Sequence, residues 1–401
     1  MGTVNQPLDG LRVIDFSVMI SGGFATMQLA DFGADVISVE HPSRPDPLRE
    51  WPPFDDGVSL WWKSIGRNKR CITLDLASKE GRALALKLVE DADLVFENFR
   101  PGTLEKWDLG PEMLHKVNPE LVLVRLSGYG QTGPRSEKPG FGTIAEGISG
   151  WAHVNGFPDR EPLLPPISLA DLMAAQFAIH GATFALLNQL LSDDEQLGEV
   201  VDISLYEPLF RLFISEVEAY DRLGMVSERM GNRHANAAPR GVYETTDGHL
   251  TLSASSQPIF ENVMHAINRP ELIDDDRFDT NEKRVENVNV LDEIIESWTQ
   301  ARSTDDALER LESYDAIAGP VYDIGDIFED EHYEARKDIV EMEDSELGTV
   351  LTPAAIPKFS QASGAVRHAG PRHGRHNEEV YLDKLELDEE TYEELHKEGV
   401  I

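Results

Sequence analysis

The chain has 401 residues, 41% of them apolar and 27% charged, enough for a substantial core spread over two or three domains. Its 73 acidic residues against 36 basic ones leave a formal net charge of −37, spread along the whole length, which argues against the basic patch that nucleic-acid binding requires. A single cysteine, Cys71, excludes an intrachain disulfide framework, and no run approaches the ~18 uninterrupted apolar residues of a membrane span.

At this charge density self-repulsion penalises a compact fold unless salt screens it. Twelve lysines against 24 arginines in so acidic a chain is the surface of a protein from a salt-accumulating organism, so a halophilic origin is expected. The N-terminal MGTVNQPLDGLRVIDF has no basic region followed by a long apolar one. A cytoplasmic protein without a secretory signal is therefore expected.

In chain order, Leu11 to Phe16 (LRVIDF) reads as a short buried strand. Gly22-Gly23 opens a helix through FATMQLADF that Gly33 stops, and 34–40 (ADVISVE) is the next strand. That is a βαβ unit, hence a parallel sheet with a right-handed crossover. The pattern recurs in 70–76 (RCITLDL), a helix over KEGRALALKLVEDA, and 93–99 (DLVFENF); 121–127 (LVLVRLS) adds a strand. The near-continuous apolar stretch from Ser168 to Leu190 predicts a deeply buried helix. Residues 192–199 (SDDEQLGE) read as an acidic connector, and 200–210 as a return to the core. From 225 to 330 the texture changes to a smaller second domain, with an antiparallel hairpin over 241–255 turning at Asp247-Gly248. The terminus, LDEETYEELHKEGVI, reads as one exposed helix.

The βαβ start invites a dinucleotide-binding reading, but its first turn, SVMISGGFA, lacks the G-x-G-x-x-G that brings backbone to a pyrophosphate. Ser127, in RLSGYG, lacks the first glycine of the hydrolase G-x-S-x-G. Metal ligands at close spacing are absent, and His373 and His376 in GPRHGRHNEE read as a solvated polar loop. Ser168 and Asp171 fit the S-x-x-D capping pattern ahead of an apolar run. Spacing leaves two readings of Asp171 open. It is a plain helix start, or it is a carboxylate held as an anion by the helix dipole and positioned to attack a carbonyl.

Several fragments stand in a telling order: GLRVIDFS, ADVISVEHP, NKRCITLDL, VFENFRPGTLEKWDLG, LSGYGQTGP, PGFGTIAEGISG, ISLADL and, from Tyr243 to Gly248, YETTDG. In that order, over nearly the whole length, the chain resembles the class III CoA-transferases, the family of formyl-CoA transferase and carnitine CoA-transferase. The resemblance implies an α/β fold: a Rossmann-like large domain with a parallel sheet, from 1–215 and 335–401, and a smaller α+β domain over 225–330. It also implies an interlocked-ring homodimer. Its substrates are an acyl-CoA and a free carboxylic acid. No permanent cofactor, metal, nucleic acid or membrane is implied.

Asp171 in SLADL matches the family's catalytic aspartate, which forms first a mixed anhydride with the acyl group and then an aspartyl-CoA thioester. Val18, Met19 and Ile20 match the segment whose backbone faces the thioester, with N–H groups suited to an oxyanion. Gly130 and Gln131 match a loop over the reacting carbonyl. Asn98, Arg100 and Lys106 match contacts to the anionic ADP part of CoA; Lys106 and His41 each stand where formyl-CoA transferase has arginine. Each of these cations also reads as a surface charge balancing nearby acids. Phe141 and Glu146 fall in the acyl pocket, with two departures: Gly142 stands where many relatives carry an acid, and Glu146 replaces a usual glutamine. Phe141 also aligns with the proton-relay histidine of the α-methylacyl-CoA racemases, and a phenyl ring exchanges no proton. A non-catalytic acyl-CoA-binding protein is the other alternative.

Arg240 stands where many relatives carry tyrosine, with Arg233 and His234 close by in GNRH. It fits the distal carboxylate of a dicarboxylic acid, or else pairs with a local acid such as Glu244. This stretch resembles the subgroup acting on C4–C5 dicarboxylates: succinate, malate, citramalate and mesaconate. In a halophile, transfer from succinyl-CoA to mesaconate is the expected reaction, between molecules or within one.

Overall fold

The computed structural model describes residues 6–192 and 198–401. Most of the expected acidic connector, 193–197, lies outside them. The chain divides into two compact units, one of residues 1–151, 164–217 and 335–401, the other of 152–163 and 218–334. The segment 152–163 therefore packs with the second unit, not with the first domain as expected.

In the first unit, β1 (Arg12–Asp15), β2 (Asp35–Glu40), β3 (Arg70–Thr73), β4 (Leu94–Glu97), β5 (Val122–Ser127) and β6 (Glu199–Ser204) make one sheet. Their order is 3-2-1-4-5-6 and every pairing is parallel. Helices cover both faces, which is why strands such as VLVRLS are buried throughout. One face carries α1 (Ser21–Asp31) and α4 (Leu169–Leu191), with α3 (Gly142–Ile148) beside α4; the other carries α2 (Lys79–Val89) and the C-terminal residues. Gly33, at φ +106°, ends α1 in a conformation side chains resist. Strand order reverses between β1 and β4, so their carboxyl ends part and leave a crevice where such sheets bind ligands.

Three sequence expectations need correction. α4 is buried on one face only: Ala170, Ala174, Ala178 and Ala182 pack on the sheet, while Phe184, Leu187, Leu190 and Leu191 are exposed, Leu190 to 83%. Its small residues make the packed face and its large ones the open face, a division that composition hides. α4 also has the length and apolarity of a membrane span, which was not foreseen; its alanine face is packed as that of a core helix is. The C-terminal helix, Glu389–Lys397, is not simply exposed: Leu395, Val400 and Ile401 are buried, and Val400 accepts the Asp75 N–H at 2.8 Å. Nor is GPRHGRHNEE a solvated loop. His376 Nδ1 accepts the Cys71 N–H at 2.9 Å and Asn377 accepts that of Thr73 at 2.9 Å, so the segment lies along β3.

The second unit is α+β. β7 (Arg240–Glu244), β8 (His249–Ser253) and β9 (Ala318–Pro320) form an antiparallel sheet with β8 central. The hairpin closes through the Thr245 N–H to the Gly248 carbonyl, 3.0 Å. Helices over Gln257–Ala266, Val288–Thr299 and Thr304–Glu312 complete a core around Leu250, Phe260, Phe278 and Ile295.

Candidate active site

A cleft of 690 Å³ opens in the first unit where β1, β4 and β5 end. The 18–21 loop, Asn98-Phe99 and Leu126 to Gly128 form its floor. The segments leading into α3 and α4 form its walls, and Trp51 and Trp61, edge to face with ring centres 5.7 Å apart, stand at one side.

Asp171 lies in the first turn of α4 and lines this cleft. The expected capping pattern does not form, because the Ser168 side chain makes no cap hydrogen bond. Glu146, only 4% exposed, takes over: its Oε1 accepts the Ala170 N–H at 3.4 Å. One helical turn before it, Gly142 sits directly against the Asp171 carboxylate. A β-carbon at 142 would lie 2.4 Å from Asp171 Oδ2. Residues 142 and 146 share one face of α3, so both meet the start of α4.

Burial, and then the negative charge of Glu146, push Asp171 up to about 6. Burial likewise pushes Glu146 up, with the amides of Ala170 and Leu169 pulling the other way. Lost hydration and a like charge thus outweigh the helix dipole in setting where Asp171 titrates. At neutral pH the carboxylate is still mostly ionised, and more basic than an ordinary aspartate. Among the described residues that line the cleft, no lysine, arginine or histidine is found.

The loop after β1 is held from outside. Asn98 donates to the Val18 carbonyl at 2.7 Å and accepts the Val18 N–H at 2.9 Å. Met19, at φ +65°, donates its N–H to Asp46 Oδ2 at 2.7 Å. The amides of Val18 and Met19 are therefore occupied, which corrects the expectation that Met19 supplies an oxyanion donor. Those of Ile20 and Ser21 have no acceptor among the described residues and border the cleft. Asn98 acts here as a brace for the loop. Gly130 and Gln131 are outside the cleft lining. Gly130 donates to Ser127 Oγ at 3.0 Å, and Gln131 gives its N–H to Asp202 at 2.9 Å.

Arg100 and Lys106 are exposed just beyond β4. The acids nearest in sequence, Glu97 and Glu105, are engaged with Arg125 at 2.6 and 2.8 Å. Both cations thus lack an acidic partner among the described residues. His41 differs: burial, and then Arg44, lower its pKa, and its Nδ1 accepts the Ser43 N–H at 3.1 Å. A neutral imidazole brings no charge to a phosphate.

Phe141 lines the cleft, 69% exposed. The three other expected substrate residues belong to the second unit. Arg233 is held by Asp292 at 2.8 Å and Asn289 at 2.7 Å, whereas His234 is exposed and accepts the Asn236 N–H on Nδ1 at 3.2 Å, which leaves its Nε2 open. Arg240 borders a hollow of 530 Å³; its Nη1 donates to the Arg233 carbonyl at 3.3 Å. Glu244 is not its partner, since that carboxylate accepts from Gln300 at 3.0 Å. Sequence reasoning marked Gly142 as a departure in the acyl pocket but missed Trp51, Trp61 and Asp46. Only the adjacent tryptophans in SLWWKS offered a signal.

The model of CoA-transferase family III matches residues 8–377. The chain belongs to that family. This family III CoA-transferase is 41% identical over 398 residues to the succinyl-CoA–D-citramalate CoA-transferase of Chloroflexus aurantiacus, covering 99% of this chain and 98% of that one. It is 37% identical to the beta subunit of the succinyl-CoA–L-malate CoA-transferase of the same organism, covering 100% and 99%. Among solved structures, a CAIB/BAIF family protein from Brucella suis superposes with a TM-score of 0.84 at 30% identity, covering 94% of this chain and 99% of that one.

Proposed function

We propose that this CoA-transferase moves CoA from succinyl-CoA to a free C4–C5 dicarboxylate, through covalent intermediates on Asp171. The preferred acceptor is mesaconate; D-citramalate is the second reading, favoured by the 41% identical relative. The observation that carries the mechanism is the seat of Asp171 against Gly142, an ionised but unusually basic carboxylate in a cleft whose described lining residues include no cation.

Asp171 Oδ attacks the donor carbonyl, the C–S bond breaks, and CoA thiolate leaves with the electron pair, giving a mixed anhydride. The thiolate attacks Asp171 Cγ and expels succinate, leaving an aspartyl-CoA thioester. An acceptor carboxylate attacks the same Cγ, the thiolate leaves again, and it then captures the acceptor's acyl carbon and frees Asp171. Each step exchanges one oxygen–carbon or sulfur–carbon bond for another, and no proton is consumed. Water must be kept out, because it hydrolyses both intermediates. The free amides of Ile20 and Ser21 are our choice for the oxyanion donors. Arg100 and Lys106 are our choice for the CoA phosphates, and Arg240, which has no acidic partner among the described residues, for a distal carboxylate.

We also propose an interlocked homodimer in the cytoplasm of a haloarchaeon. The uncovered apolar face of α4 supports a second copy, and the net charge supports salt. A racemase reading lacks its second proton carrier, since Phe141 has none.

One experiment addresses both acceptor and mechanism. The enzyme is incubated with succinyl-CoA and isotopically labelled mesaconate, citramalate, malate or acetate in concentrated KCl, and the thioesters and the hydroxylamine-trapped protein are weighed by mass spectrometry. Labelled dicarboxyl-CoA and a modified peptide at residue 171 are expected, with Asp171→Ala losing roughly 10³-fold or more in kcat. An unmodified residue 171 with full rate in the alanine variant sinks the mechanism, and equal transfer to acetate sinks the dicarboxylate class.

A further inference from the structure

We infer that Glu146 is a positioning residue that sets the reactivity of Asp171: from α3 it fastens the start of α4 and sets a second carboxylate beside the attacking one. This rests on the reading of Asp171 as nucleophile.

Glu146 is buried, and its acceptor contact is to the amide of Ala170, the residue just before Asp171. A carboxyl group accepting backbone N–H bonds is favoured as the anion. Gly142, four residues earlier on the same helix, lets the Asp171 carboxylate come close to α3. Two carboxylates therefore share one end of a cleft, and no opposing cation is found among its described lining residues. The other segments facing Asp171 contribute Met19, Asn98, Ser127, Phe141 and Ser168, none of which carries a charge that titrates near neutrality.

The chemical consequence follows from charge. While Asp171 is free, two anions repel each other in a medium poorer than water at screening them. When Asp171 Oδ bonds to the acyl carbon, its charge disappears, and the departing thiolate carries the electron pair away. The aspartyl-CoA thioester is neutral at residue 171 as well. Glu146 thus raises the basicity of the free nucleophile and favours the loaded enzyme, while its backbone contact keeps the helix start in place.

The test is the pH dependence of kcat/KM with succinyl-CoA in wild type, Glu146→Gln and Glu146→Asp, beside hydroxylamine trapping in each. Attack needs ionised Asp171, so the rate falls as pH drops through its folded pKa, expected near 6 in wild type. Glu146→Gln keeps an acceptor for Ala170 but no charge, so its acid limb moves down part of the way toward that of an ordinary aspartate, burial holding the rest. Its trapped fraction of residue 171 falls as well. Glu146→Asp keeps the charge, and its limb stays near that of wild type. An unmoved limb in a folded Glu146→Gln variant, with residue 171 still trapped, overturns the role of Glu146 alone. Failure to trap residue 171 in wild type overturns the nucleophile instead. Should Glu146→Gln not fold, carbodiimide labelling of both carboxyls in wild type decides: residue 146 ionising before residue 171 as pH rises supports the role of Glu146, and residue 171 ionising first overturns it.

Discussion

Gly142 shows how one missing side chain shapes the site. A β-carbon there meets Asp171 Oδ2 at 2.4 Å, so Gly142→Ala must push either the carboxylate or the first turn of α4 aside. Gly142 is the first residue of α3, so alanine's helix preference gains little there, and the overlap costs some stability. Displacement of a reacting group by about 1 Å costs on the order of 100-fold in rate. We therefore expect kcat to fall about 100-fold in a variant that still folds, read from steady-state kinetics beside circular dichroism. A variant with normal kcat would mean that Asp171 does no chemistry where it stands. At this scale the sequence was only partly legible. Asp171 stood out through resemblance, while its spacing suggested a Ser168 cap that does not form. What raises its pKa was not legible, because burial, the larger cause, and Glu146, 25 residues away, both act on it only through folding.

Between residue and molecule, the loop after β1 depends on a buried charged network. Asp15, at the end of that strand, accepts from the hydroxyls of Ser17 and Thr26 and from Lys69 Nζ at 3.0 Å. Lys69 also reaches the Gly23 carbonyl of α1 at 2.9 Å, so one ammonium ties strand to helix beneath the cleft. Both charged side chains are almost fully buried. Lys69→Met therefore strands a buried carboxylate, a loss of about 3–5 kcal/mol. Chemical denaturation should show it as a lower midpoint. Adding Asp15→Asn should recover much of the loss, because the deficit is an unpaired charge rather than lost packing. A double variant as weak as the single one would locate the damage in packing. The strands of this sheet were readable because doubly covered strands are short apolar runs between glycines. α4 was not, because apolar character does not say which of two faces a neighbour covers. The C-terminal helix misled in the opposite sense, with Leu395 and Val400 hidden among acids.

For the whole molecule, charge and exposed apolar surface lead to one expectation about salt. A net charge of −37 repels itself most strongly when compact, and the screening length falls from about 8 Å at physiological ionic strength to about 3 Å near 1 M. Two such chains repel each other too, so association requires both screening and an apolar surface to bury. α4 offers that surface in Phe184, Leu187, Leu190 and Leu191. Salting-out ions strengthen apolar burial in addition to screening. Light scattering in molar KCl should thus give twice the 44.7 kDa of one chain, with the melting temperature and activity rising together as salt is added. Leu190→Glu and Leu191→Glu together place charge on the open face of α4, and should shift the mass toward a single chain at the same KCl concentration. A mass and melting temperature that ignore salt from about 0.1 to 2 M would mean that the acids are balanced locally by structure rather than by screening. Nineteen lysine or arginine ion pairs among the described residues cannot neutralise 73 acids, which is why we expect the salt dependence to be steep.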